Sequence, residues 1–125
     1  MLALWQREQF DGVLGFSQGA AAAAMLCADL ERKPRFAILV SGFVPGEQGR
    51  QAAANLLDGV SSVPSLHVIG AADTIVMPER SHALSALFSG ASVHEHQKGH
   101  MVPSNAEARS ALSSFLDGLG LARQS

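Results

Sequence analysis

Ser17, Asp73 and His100 are the residues of this 125-residue chain whose types and order could do covalent chemistry. A serine hydroxyl is a weak nucleophile at neutral pH, so it needs a histidine as general base and usually a carboxylate to orient that histidine. The chemistry would be acyl transfer. Ser17 lies in Gly15-Phe16-Ser17-Gln18-Gly19, which fits G-x-S-x-G, a pattern that holds a serine on a sharp strand-to-helix turn. The elbow glycines, Gly15 and Gly19, would let the helix press close to the strand. The backbone N–H of Gln18, at the start of that helix, would point at an oxygen that becomes anionic, giving half of an oxyanion hole. Taken singly, each residue has a plainer reading: Ser17 as a helix cap, Asp73 as a loop or N-cap residue, His100 as an ordinary loop histidine. Their order, serine then acid then histidine, favours a triad.

Such a triad needs elements to carry it. Residues 12–16, 36–41, 66–70 and 91–96 are short runs bounded by Gly or Ser that read as strands, the last less apolar than the others. Helical candidates cover Gln18 to Leu30, Gln48 to Leu57, Pro78 to Phe88 and Asn105 to Leu119, with another at residues 1–9. Strand and helix therefore alternate, and continuous apolar strands argue for a parallel sheet of about four strands with flanking helices, an α/β fold. Pro78 suits a first helical turn, and Ser104 with Glu107 forms a capping box. Ser17, Asp73 and His100 each follow a strand, at the edge of a parallel sheet where ligand sites gather.

Composition narrows the partners. With 47% hydrophobic and 16% charged residues, the chain has material for a single domain over residues 1–125. A net charge of −2 and no Lys/Arg cluster argue against nucleic acid. No run approaches the ~20 apolar residues of a membrane span. The N-terminus lacks a signal-peptide pattern and the single cysteine, Cys27, cannot form an internal disulfide, so a cytoplasmic location is the default expectation. His94, His96 and His100 invite a metal reading, but no cysteine or acidic cluster completes a site and none is expected. His67, in an apolar strand, reads as a core histidine, His82 as a helix-surface residue, and Cys27 as a small buried residue rather than a second nucleophile.

Four blocks, DGVLGFSQGAAAAAML (11–26), RFAILVSGFVPG (35–46), SLHVIGAADTIVMPERS (65–81) and KGHMVPS (98–104), resemble the FSH family of serine hydrolases within the α/β-hydrolase superfamily. The acyl-protein thioesterase and carboxylesterase group is similar at GFSQG, but the SGFVP block and Met-Val-Pro after His100 favour the FSH family. The resemblance implies a cofactor-independent hydrolase of small-molecule esters, with Ser17, Asp73 and His100 as the triad acting through an acyl-enzyme. It covers the C-terminal portion of such hydrolases, so the chain reads as N-terminally truncated. The second oxyanion donor would then lie outside it, and the strand at 12–16 would be a sheet edge open to self-association. A non-catalytic remnant that associates through this edge is the competing expectation.

Overall fold

The computed structural model describes residues 12–27, 34–44 and 62–119. The expected helices at 1–9 and 48–57 lie outside these residues. Four strands, β1 (Gly12–Phe16), β2 (Phe36–Val40), β3 (Ser65–Gly70) and β4 (Ala91–His96), form one sheet in the order β1-β2-β3-β4. Every pairing is parallel, with Gly12 opposite Phe36, Ala37 opposite Ser65 and Ser65 opposite Ala91. The helices are α1 (Gln18–Cys27), α2 (Pro78–Ser85) and α3 (Ala106–Leu119). The α/β reading holds.

Strand β2 shows why the sheet is covered on both sides. Side chains alternate along a strand, and Ala37 and Leu39 enter one cluster with Ala20, Ala23, Ala24, Cys27, Leu84 and Phe88, contributed by α1, α2 and the turn after it. Ile38 and Val40 enter the opposite cluster with Leu66 and Val68, against which Phe16, Phe36 and Phe115 pack. Phe36 and Phe115 meet edge to face at 6.2 Å, which fixes α3 on that second face. The alanine run of α1 keeps its buried side chains small, so the helix axis sits close to the sheet.

Strand β1 ends the sheet among the described residues, with Leu14 65% exposed. At the other end of the sheet β4 pairs only with β3 among the described residues, yet His96 on it is buried.

Some boundaries differ from expectation, and β3 begins at Ser65 rather than at residue 66. Helix α2 stops at Ser85, and the chain to Phe88 tightens into i to i+3 turns, Leu87 N–H to Leu84 C=O and Phe88 N–H to Ser85 C=O. Ser41 leaves β2 with φ 53°. The cap of α3 is the side chain of Asn105, whose Oδ1 accepts the Ala108 N–H at 2.9 Å, so a single cap bond from Asn105 replaces the expected Ser104–Glu107 box. Pro78 does open α2, after Met77, where its missing N–H has no helical partner to lose.

Candidate active site

The turn from β1 to α1 carries Ser17 at φ 57°, a left-handed conformation that costs a non-glycine residue on the order of 1–3 kcal/mol. Neighbouring backbone holds it there. The Ser17 N–H donates to the Val40 carbonyl at 2.8 Å, and its own carbonyl accepts from Ala20 and Ala21 at 3.0 and 3.1 Å. The two glycines of the motif are unequal. A Cβ on Gly15 would lie 2.2 Å from the Gly19 carbonyl oxygen, so only glycine lets α1 start this close to β1. A Cβ on Gly19 would meet nothing within 4 Å among the described residues, which corrects the expectation that both glycines serve close approach. Gly19 contributes the carbonyl against which Gly15 must be bare.

The structure brings the three expected residues together. His100 Nε2 is 3.0 Å from Ser17 Oγ, and His100 Nδ1 is 2.8 Å from Asp73 Oδ2. Asp73 is 2% exposed, and its other oxygen, Oδ1, accepts the N–H groups of Ile75 and Val76, each at 2.9 Å. Burial alone would raise the Asp73 pKa. The hydrogen bonds from His100, Val76 and Ile75, with the attraction of His100, outweigh it and hold the carboxyl below the ordinary aspartate value. An ionised Asp73 accepts from His100 Nδ1–H, so that in the neutral imidazole the lone pair is on Nε2, facing the serine hydroxyl. The Phe16 ring packs on His100 with centroids 4.9 Å apart, limiting the imidazole's rotation.

The loops that carry the acid and the histidine are fastened to each other. Ala71 N–H donates to the His96 carbonyl at 2.8 Å and Ala72 N–H to the Lys98 carbonyl at 3.1 Å. A Cβ on Gly70 would stand 2.5 Å from the Gly99 carbonyl oxygen and 2.7 Å from that of Lys98. Gly70 thus lets the two loops touch.

Gln18 is the first residue of α1, where a helical N–H lacks an intrahelical acceptor. It also lines an apolar cavity of about 340 Å³ with Ala21, Ala22, Met25 and Phe43. The Arg80 guanidinium sits 4.6 Å from the Phe43 ring centre, and Ser81 Oγ donates to the Gly42 carbonyl at 2.7 Å, so the start of α2 braces that wall.

The remaining candidates separate from the site. His67 Nε2 is 2.8 Å from Ser65 Oγ, its ring meets Phe88 edge to face, and burial pushes its pKa down to about 4. It is a neutral core residue. His82 is exposed and pairs with Glu95 across 3.2 Å. Burial pushes the Cys27 thiol up to about 12, which removes the thiolate a nucleophile would need. Both ring nitrogens of His100 are engaged by Ser17 and Asp73, and no group of three or more His, Cys, Asp or Glu is gathered for a metal among the described residues. Sequence reasoning passed over Ser41, whose buried hydroxyl has no hydrogen-bond partner among the described residues and whose φ is positive. The Ser41-Gly42 pair at a strand end was its available signal. His96, read with His94 as belonging to a partly exposed strand edge, is instead buried.

Residues 3–112 match the family described as serine hydrolase (FSH1). Esterase OVCA2 of Bos taurus is 44% identical over 114 residues, covering 86% of this chain and 49% of that protein. Human esterase OVCA2 is 43% identical with the same coverage, and esterase CG5412 of Drosophila melanogaster is 37% identical, covering 85% of this chain and 39% of the relative. The chain spans about half the length, or less, of these curated relatives. Among solved structures, esterase PE8 aligns with a TM-score of 0.71 at 22% identity, covering 94% of this chain and 56% of that one. Zea mays acyl-protein thioesterase 2 aligns at 0.64 and 22%, covering 86% and 55%. At that identity these structures speak for the fold, which is that of the α/β hydrolases. Because the family match runs from near the start of the chain into α3, the chain belongs to the serine hydrolase (FSH1) family.

Proposed function

We propose that this chain hydrolyses carboxylic esters, with Ser17 as nucleophile, His100 as general base and then acid, and Asp73 as the group that orients and charges-balances His100. One observation carries the reading: the unbroken hydrogen-bonded line from Ser17 Oγ through the His100 ring to Asp73. In the first half-reaction the Ser17 oxygen bonds to the ester carbonyl carbon while its proton passes to His100 Nε2. The carbonyl oxygen takes the negative charge, facing the Gln18 N–H. The tetrahedral intermediate collapses, and the alcohol leaves with the proton from His100, giving an acyl-serine. Water then attacks that acyl carbon, His100 takes its proton and returns it to Ser17, and the carboxylic acid departs. No cofactor enters this sequence of steps. The apolar cavity beginning at Gln18 offers room for a small-molecule substrate's hydrocarbon part.

Turnover of p-nitrophenyl esters by the purified protein tests this reading, with a matching thioester beside it to separate an esterase from a thioesterase-like hydrolase. Ser17→Ala is expected to lower kcat by a factor on the order of 10³ or more while the protein stays folded. Unchanged turnover in that variant would remove Ser17 from the reaction.

A second reading rests on β1, which pairs only with β2 among the described residues and carries Leu14 65% exposed. In it the chain associates with a second copy through that strand. Light scattering coupled to size exclusion decides: a monomer at all concentrations rules association out, whereas a dimer dispersed by Leu14→Lys supports it.

A further inference from the structure

The side chain of His96 lies beneath the loop that carries His100. Its ring is buried, and Nδ1 accepts the Lys98 N–H at 3.2 Å. To accept there, a neutral ring must carry its proton on Nε2. The same ring packs against Gly70 on the neighbouring strand, where an added Cβ would come within 3.0 Å of its Cε1. His96 is therefore wedged between the end of β3, three residues before Asp73, and the turn that ends at His100.

Its main chain joins the same knot. The His96 carbonyl accepts from Ala71 and the Lys98 carbonyl from Ala72, so residues 96–98 hold the Asp73 loop with two backbone bonds while the His96 ring folds residue 98 back into place. The Ser17–His100 and His100–Asp73 bonds, 3.0 and 2.8 Å, depend on the relative placement of these two loops. Burial, then the neighbouring His94, hold the His96 pKa below the ordinary histidine value, against the opposing pull of Asp73 and Glu95; this keeps Nδ1 free to accept.

We infer that His96 is a positioning residue for the triad: its Nδ1, by accepting the Lys98 N–H, sets the β4-to-α3 loop so that His100 lies in line between Asp73 and Ser17. This inference rests on the proposed role of the triad but concerns a residue that does not touch substrate. A displacement of about 1 Å in a reacting group can cost about 10²-fold in rate, which sets the size of the effect.

Two substitutions separate positioning from simple packing. His96→Leu keeps much of the volume and removes the acceptor. His96→Asn presents an oxygen at the place of Nδ1. For His96→Leu we expect kcat on p-nitrophenyl esters to fall by about 10²-fold with KM little moved, and for His96→Asn most of that loss to be recovered. The proton NMR signal of His100 Nδ1–H, held between His100 and Asp73, reads the same alignment without turnover: present in the parent and in His96→Asn, broadened or lost in His96→Leu. Equal losses in both variants, or a His96→Leu protein with parental kcat and an intact signal, would overturn the inference. If the parent protein turns over no ester, the proposed function has failed, and the NMR comparison still decides whether His96 sets the His100 loop.

Discussion

Replacing Asp73 with asparagine exchanges one oxygen for an NH₂ group and leaves the side chain's shape unchanged, yet the surrounding bonds dictate how it must sit. Oδ1 of Asp73 accepts two backbone N–H groups, from Ile75 and Val76. Asparagine must keep its oxygen there, because turning the NH₂ toward two donors would strand all of them in a site where residue 73 is 2% exposed. The NH₂ group is then forced onto His100 Nδ1, which must accept instead of donate. That places the imidazole proton on Nε2, facing Ser17 Oγ, so the base has no lone pair for the serine proton. A wrong tautomer in this arrangement costs about 10⁴-fold in kcat, or about 5 kcal/mol of transition-state stabilisation. The loss should fall on kcat with KM little changed, in p-nitrophenyl ester assays on protein shown by circular dichroism to be folded. An Asp73→Asn protein that keeps more than a tenth of parental kcat would refute the assignment of Asp73 as the group that fixes the His100 tautomer.

Gly15→Ala should destabilise by about 1–3 kcal/mol, since its Cβ would collide with the Gly19 carbonyl, whereas Gly19→Ala should be neutral or slightly stabilising; urea denaturation of the pair checks the contrast. His67 binds a proton in the unfolded chain near pH 6.5 but only near pH 4 when folded, so its contribution to stability is complete above 6.5 and declines as pH falls toward about 4. The decline should reach about 3 kcal/mol in urea titrations across that range, and His67→Gln should flatten it. Cys27, fully buried with its thiol pushed up to about 12, should resist iodoacetamide at pH 8 in the folded protein and react once urea unfolds it; rapid native labelling would contradict its burial.

Much of this arrangement was legible because its signals are local. A short run such as Phe36–Val40, bounded by turn residues, reads as a strand apolar on both faces, and three of these with the less apolar run at 91–96, alternating with helices, imply a covered parallel sheet. Ser17, Asp73 and His100 each follow such a strand, so the parallel order alone brings them to one edge. What the sequence did not disclose depends on contacts between distant residues. The need for a bare Gly15 comes from the Gly19 carbonyl, and G-x-S-x-G by itself makes both glycines look alike. Whether Ser104 or Asn105 caps α3 is a matter of one residue of helix phase, which two adjacent capping residues leave open. His96, an edge-strand histidine by pattern, is buried because the loop at 97–100 folds back over it, and hydrophobic period carries no trace of that.

Reaction with a fluorophosphonate, followed by mass spectrometry of the intact protein and its peptides, asks most directly whether Ser17 is a serine activated by His100. The geometry predicts a single adduct on the Ser17 peptide, formed readily near neutral pH and suppressed when His100 is replaced by alanine. A folded, monodisperse protein that takes up no adduct, or takes it up on another serine, would contradict the account.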